Sequence, residues 1–334
     1  MTRLQRTLVL VSLLLAGGFA RAQSPTAQTP AAQNPASLQS TVEAIAAQHH
    51  GKVALFAQDL KTGQTVGLHP GEPVQTASVI KLTILYEAIE QVREGKAHLE
   101  DPITLRKEDQ VLGSGVLPFF DTPLKLTLKD VLTMMIIVSD NTATNLAIDH
   151  LGLSNINARI QKLGLKDTYL YKKVYKPAEG PMPADQKRFG LGKTTPREMA
   201  EVMRKIVTCD LAEPGAPVRP EDRQLCGVML HMLRNQFYRG GIPRYVEEVD
   251  STEAGSAIAN KTGALDAVRN DVAAIASKNG LLILSIFTYD NQDHSWSSDN
   301  EGEVTIAKLA KAIATAWSPA GIGDFDATYP QQQK

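Results

Sequence analysis

Aromatic residues are scarce in this chain, 5% of 334 residues, and cysteine is scarcer, with two. Two cysteines exclude a disulfide-stapled mini-protein, and alone they do not make a zinc site. Surplus charge of one sign is also missing. Lys and Arg number 35 against 36 Asp and Glu, a net charge of −1, so no chain-wide basic field exists to hold nucleic acid. The apolar run Leu8 to Ala16 falls short of the roughly 20 residues that span a bilayer as a helix. No G-x-G-x-x-G follows a strand pattern, which removes a dinucleotide-binding fold. Repeats and coiled coils are excluded by the pattern as well. What remains is ordinary globular composition, 43% hydrophobic and 21% charged, with a length that suits one large domain or two intertwined ones.

The first residues read as an address. Arg3 and Arg6 precede the apolar run, and Ala20-Arg21-Ala22 supplies small residues two apart. This is the pattern of a secretory signal peptide cleaved near Ala22, with a retained anchor as the alternative. Cleavage leaves 32 basic against 36 acidic residues, net −4, and no integral span. Residues 23–37 form a Pro/Ala/Gln tether without periodicity, expected to be disordered. The expected location is periplasmic or secreted. In an oxidising compartment Cys209 and Cys226 can pair, closing a short loop worth about 3 kcal/mol on chain-entropy grounds. The alternative is two separately buried thiols.

Apolar periodicity organises the remainder. Leu38–Gln48 and Ser78–Val92 carry helical spacing, and Val53–Gln58 with Gln64–Leu68 alternate around a turn as an antiparallel hairpin. Between about 95 and 250 the pattern is mostly helical: Leu128–Val138, Asn141–Leu151, Leu153–Leu163, Pro196–Val207 and Glu221–Gln236. Strand character returns at Ser256–Asn260, Asp271–Ser277 and Leu281–Tyr289, before a closing amphipathic helix, Glu301–Trp317. The expected fold is α+β: an antiparallel sheet built from both chain ends, flanked by helices, with an inserted all-helical domain. The expected boundaries are 38–92 plus 255–318 for the sheet domain, 93–254 for the insertion and 319–334 for a tail.

Three short motifs carry chemistry. Ser78-Val79-Ile80-Lys81 is the chain's single Ser-x-x-Lys. On a helix, positions three apart share a face, so the amine can reach the hydroxyl. A serine needs a base to become a nucleophile, and a lysine whose pKa is lowered by burial can serve. Taken alone the motif also fits a capping serine followed by a solvated lysine. Ser-Asp-Asn occurs twice, at 139–141 and 298–300, and Lys-Thr-Gly twice, at 61–63 and 261–263. Ser298–Asn300 precedes a helix, where such residues cap, and Lys61–Gly63 fills a hairpin turn. Ser139 instead links two apolar helices. Lys261 ends an apolar strand, and Gly263 after it permits close backbone approach. The copies at 139 and 261 are therefore the informative pair.

In that order these motifs resemble the class A β-lactamase and penicillin-binding-protein family of serine hydrolases. The resemblance runs from about Leu38 to Trp317 and includes Asn141-Thr142-Ala143-Thr144-Asn145-Leu146 and Thr194-Thr195-Pro196-Arg197-Glu198-Met199. It implies the two-part fold above and acyl transfer without metal or other cofactor. The substrate would be a β-lactam or a peptidoglycan stem peptide, with no nucleic-acid partner, and the protein a monomer. It further implies that Ser78 is acylated with Lys81 as proton acceptor, and that Ser139 passes a proton to the leaving nitrogen, assisted by Lys261. Asn141 would hold the substrate's amide side chain and Thr262 its carboxylate. The backbone N–H groups of Ser78 and Ala264, the latter reached past Gly263, would form the oxyanion hole. Arg269 is a candidate carboxylate clamp, with a surface ion pair as its alternative.

One departure stands out. Class A enzymes carry Glu-x-x-Leu-Asn in the loop before Thr194, whose glutamate activates the deacylating water. Here the aligned position falls near Val174, and the nearest acid, Glu179, comes about five residues late. Residues 166–193 hold seven basic and three acidic residues, net +4, a rim for anionic substrates or an ordinary solvated loop. Three functions stay open: a β-lactamase with a relocated base such as Glu179, a D-alanyl-D-alanine carboxypeptidase that β-lactams inhibit, or a β-lactam-binding module without turnover.

Overall fold

The computed structural model describes residues 35–211, 219–246 and 256–325. The leader, its cleavage point near Ala22, residues 23–34 of the tether, the junction expected at 254–255 and residues 326–334 lie outside the described residues. The described chain opens with α1 (Pro35–Ala46), so the last three residues assigned to the tether are helical. The hairpin β1 (Lys52–Asp59) and β2 (Thr65–Leu68) follows, then the short β3 (Val74–Gln75), a 3₁₀ turn at Ala77–Ile80 and α2 (Lys81–Arg93). Next come β4 (Pro102–Leu105), β5 (Leu124–Thr127), α3 (Leu128–Ile137), α4 (Asn141–Leu151) and α5 (Leu153–Lys162). After β6 (Tyr169–Leu170), α6 (Gln186–Phe189) and β7 (Gly192–Thr194), α7 (Pro196–Thr208) and α8 (Pro220–Arg234) lead to the second half of the sheet. That half is β8 (Ile258–Leu265), β9 (Val268–Ser277) and β10 (Gly280–Tyr289), closed by α9 (Glu301–Trp317).

The main sheet is antiparallel with strand order β2-β1-β10-β9-β8, so strands from the two chain ends meet where β1 pairs β10. Both faces are covered. Period-two alternation sends Leu282, Leu284 and Ile286 of β10 toward α1 and α9, where they join Leu38, Val42, Ile306, Leu309 and Ile313. Ile283 and Phe287 face the other way and join α2, α7 and α8 in the larger core. Each such fully buried side chain stabilises the fold by roughly 1.5–3 kcal/mol relative to exposure.

The segment between the sheet halves is not purely helical. β4 pairs β5, and β3-β7-β6 form a second small sheet. These strands hold two to four residues each, too few to show periodicity against neighbouring turns. The apparent polar face of α2 is also buried: Glu87 and Glu90 are 3% and 1% exposed. Arg159 of α5 reaches Glu87 at 2.7 Å and Glu94 at 2.7 Å, and Arg93 reaches Glu90 at 2.9 Å. Residues past 318, expected as a tail, stay packed to Phe325, whose ring is fully buried, and Ile322 bridges Ser277. Cys209, just after α7, is bonded to Cys226 within α8. Among the described residues no helix is long and apolar enough to cross a membrane.

Candidate active site

Ser78 lies in the 3₁₀ turn that runs into α2, not in the α-helix itself. The turn is held from two sides. Val74 and Gln75 pair with Thr194 and Lys193 of β7. From β9, the Asn270 amide donates to the carbonyls of Gln75 (2.9 Å) and Thr76 (3.2 Å). Ala77 adopts φ +44°, a left-handed conformation that costs a non-glycine residue about 1 kcal/mol or more. Strain immediately before the half-buried serine fits a turn shaped for presentation.

Lys81, one turn on, is completely buried. Its Nζ donates to the Ser139 carbonyl (2.6 Å), the Ser139 hydroxyl (3.0 Å) and Asn141 Oδ1 (3.2 Å). Lys261, equally buried on β8, donates to the same Ser139 hydroxyl at 3.0 Å. Ser139 reaches both because it reverses the chain between α3 and α4 at φ +54°. Burial, then the neighbouring Lys261, holds the Lys81 pKa well below the ordinary lysine value, against a counter-pull from Asp140. Burial brings Lys261 down to about 7, opposed by Asp271. A hydroxyl accepting from two lysine nitrogens keeps its own proton to donate, and burial that favours the amine form lets a lysine take one.

The rest of the Ser-Asp-Asn triplet works on backbone. Asp140 caps α4 through Ala143 N (2.8 Å), and its second oxygen accepts from Val116 N (2.7 Å) and Leu117 N (2.8 Å). The loop ahead of β5 is thereby folded over the site. Its Leu112 carbonyl accepts from Asn141 Nδ2 at 3.2 Å. On the opposite side, a Cβ on Gly263 would come 2.8 Å from Thr76 O and 2.9 Å from Ser78 N. Only glycine lets β8 approach the serine turn so closely. Ser78 N–H, in the first turn, has no intrahelical acceptor, and Ala264 follows Gly263 on the same strand. Thr262, opposite Asp271 in register, is partly exposed.

Several expected residues fall elsewhere. Arg269 is buried on the face of β9 that meets α9, stacked on Trp296 with its guanidinium carbon 4.7 Å from the ring centre. It donates to the carbonyls of Leu265, Val268 and Ser295 and lies 3.7 Å from Glu303. Strand alternation explains this: Asn270, not Arg269, points to the serine turn. Glu179 is exposed, and none of the described hydrogen bonds ties it to Ser78, Lys81 or Ser139. The loop charges are mostly occupied: Lys173 pairs Asp149, Lys193 pairs Asp185, and Lys172 and Lys176 donate to carbonyls. Lys61–Gly63 forms the β1–β2 turn, with Asp59 accepting from Lys61 N, and Asn300 caps α9.

Sequence reading missed one clamp. The buried Asn145 amide accepts from Val174 N (2.8 Å) and donates to Val174 O (3.0 Å), which fixes the loop where the water-activating glutamate was sought. Its position within Asn141–Leu146 was the available signal. Among the described residues no cluster of three His, Cys, Asp or Glu side chains is placed to hold a metal ion.

The model of the β-lactamase enzyme family matches residues 37–317. A β-lactamase of Rhodobacter capsulatus is 23% identical over 301 residues, covering 90% of this chain and 96% of that one. The crystal structure of a β-lactamase from Sphaerobacter thermophilus superposes with TM-score 0.70 at 30% identity, covering 85% of this chain and 98% of the other. The structure of PBP-A, 22% identical with TM-score 0.67 over 84% and 95% of the two chains, shares the fold. The chain belongs to the β-lactamase enzyme family.

Proposed function

We propose that this protein is a class A-like serine hydrolase that opens β-lactam amide bonds through an ester on Ser78, acting in the periplasm or outside the cell as the leader suggests. The observation that carries this reading is the convergence of Lys81 and Lys261 on the Ser139 hydroxyl, 3.0 Å from each nitrogen. Ser78 Oγ adds to the lactam carbonyl and gives its proton to Lys81 in its amine form, which burial and the neighbouring Lys261 favour. The C–N bond breaks, Ser139 delivers a proton to the departing nitrogen, and Lys81 passes the proton taken from Ser78 to Ser139, with Lys261 held on the same hydroxyl, so that Lys81 returns to its amine form. The N–H groups of Ser78 and Ala264 hold the oxyanion. Asn141 receives the substrate's amide side chain and Thr262 its carboxylate. Water then hydrolyses the ester, with Lys81 as the base already at hand.

A second reading is a D-alanyl-D-alanine carboxypeptidase acting on stem peptides, which a β-lactam acylates and leaves blocked. It is favoured by Val174, a side chain that accepts no proton, clamped by Asn145. Intact-mass measurement with penicillin G over time tests both. Wild type is expected to gain one penicillin mass on Ser78 and to lose it, while Ser78→Ala gains none. A persistent adduct would favour the peptidase, and saturable labelling of Ser78→Ala would overturn the nucleophile assignment.

A further inference from the structure

We propose that Asp271 is a positioning residue for acylation: its buried carboxyl group ties residues 236–242 to β8 and so holds Lys261 against the Ser139 hydroxyl. This rests on the acyl-transfer reading above, in which Ser139 passes the proton on while Lys261 is held on its hydroxyl. Asp271 follows Asn270 on β9, and strand alternation points the two side chains to opposite faces. Asn270 grips the serine turn. Asp271, 1% exposed, instead meets the stretch that leads from α8 into a 3₁₀ turn at Ile242–Tyr245. Its Oδ2 accepts from Ile242 N at 2.8 Å and its Oδ1 from Asn260 Nδ2 at 3.0 Å. Both partners offer N–H groups, which suit an acceptor-only carboxylate, and without them its burial would be costly.

These bonds lead to both partners of the 3.0 Å contact. Asn260, fully buried, is the residue before Lys261 on β8. Its Nδ2 also faces the Tyr238 carbonyl at 3.4 Å, and its Oδ1 accepts from Arg239 Nη1 at 3.4 Å. The Asn260 amide therefore sits between Asp271 and residues 238–239. The start of the same stretch is fastened to the end of α3. Gln236 Nε2 donates to the Ile136 carbonyl at 2.8 Å, and Phe237 N donates to the Ile137 carbonyl at 3.0 Å, two residues before Ser139. Lys261 and Ser139 are 122 positions apart, so their contact depends on how β8 is set against the end of α3. Asp271 closes that chain of contacts. Gly241 fits it: a Cβ there would lie 2.6 Å from Asp271 Oδ2, so glycine lets the backbone settle onto the carboxyl group.

The test is rapid-quench intact mass with penicillin G over a range of concentrations, at a temperature below each variant's melting transition. It separates the limiting acylation rate from the half-saturating concentration. Asp271→Asn keeps the shape, but whichever way the two amides turn, one pair of N–H groups is set face to face. It is expected to lower the limiting rate roughly tenfold or more, the effect of a misplaced relay, and to change the half-saturating concentration by less than about threefold. Gly241→Ala pushes the backbone off an intact carboxyl group and should lower the same rate severalfold. The double variant Asn260→Asp with Asp271→Asn exchanges the two groups. The amide at 271 then accepts from Ile242 N and donates to the carboxylate at 260, which Arg239 still faces. Its rate should return to within about threefold of wild type, the recovery expected of coupled partners. A merely structural carboxyl group would lower Tm and leave the rate alone. A wild-type limiting rate in Asp271→Asn, or a double variant no faster than Asp271→Asn, overturns this proposal alone. If Asp271→Asn does not fold, a wild-type rate in Gly241→Ala overturns it. Wild type that penicillin G does not acylate, or Lys261→Ala acylated as fast as wild type, removes the acyl-transfer reading and this proposal with it.

Discussion

The chain contains its own control experiment, because two of the three motifs occur twice. Ser139-Asp140-Asn141 and Ser298-Asp299-Asn300 have identical side chains, as do Lys261-Thr262-Gly263 and Lys61-Thr62-Gly63. In the first of each pair Lys261 is fully enclosed, and Ser139, Asp140 and Asn141 are at 4%, 0% and 6% exposure. In the second of each pair Lys61 is exposed in a turn, and Asp299, 78% exposed, pairs with Arg244 at 2.5 Å. What differs is desolvation and company. Lys261 loses water and gains a hydroxyl partner, and the loss of water moves its pKa to about 7. A triplet is chemistry only where the fold withholds solvent and supplies a second motif within about 3 Å of the first.

The largest effects should separate the copies outright. Lys261→Ala and Ser139→Ala are expected to slow acylation of Ser78 on the order of a hundredfold or more, the scale of a lost proton relay or charge. Lys61→Ala and Ser298→Ala should leave the rate at wild-type level. Stopped-flow acylation by a chromogenic β-lactam measures all four, and reversed sensitivities would exchange the roles of the copies.

The glycines sharpen the contrast at the level of backbone. Gly63 sits at φ +75°, and a methyl added there would have nothing within 4 Å, whereas a methyl on Gly263 meets two backbone atoms of the serine turn below 3.0 Å. Gly63→Ala therefore costs about 1 kcal/mol of stability through its left-handed conformation alone and spares the site. Gly263→Ala must push β8 away from Ser78, and a displacement of ångström scale costs acylation roughly tenfold to a hundredfold. Thermal melts paired with acylation rates distinguish the two: one variant shifts mainly Tm, the other mainly rate. Equal rate losses in both would mean that Gly263 does not set the approach.

How much of this was legible follows from where each signal resides. β9 and β10 are covered on both faces, so their apolar runs announced them, and the pairing of β1 with β10 follows from strands at the two chain ends. Ser78, Lys81, Ser139 and Lys261 were singled out because motif and context agreed, and the fold brings both lysines onto the Ser139 hydroxyl. Arg269 looked like a clamp because it follows β8 closely, but strand alternation turns it toward α9, where it stacks on Trp296. The ion pairs that accompany burial of the α2 acids left no local pattern, since Arg159, the partner of Glu87, lies 72 positions away.

The smallest effect concerns the two asparagines. Asn141 faces Lys81 and the substrate path of the proposal, while Asn300 is buried at the start of α9. There its Oδ1 accepts from Gly302 N at 3.0 Å, and its Nδ2 donates to the carbonyls of Asp293 (3.1 Å) and Ser295 (2.9 Å). Removing such a cap typically costs about 1 kcal/mol, and the two carbonyls left behind add to that. In a chain of this size 1 kcal/mol corresponds to a fall in Tm of about 1–2 °C. α9 packs on the face of the sheet opposite the serine turn, with Ile306, Leu309 and Ile313 in the smaller core. Asn300→Ala should consequently lower Tm by a few degrees with the acylation rate intact below the transition, whereas Asn141→Ala should lower the rate. If Asn300→Ala slows acylation as much as Asn141→Ala, the two faces of the sheet are coupled, and the division between a chemical and a structural copy of the triplet fails.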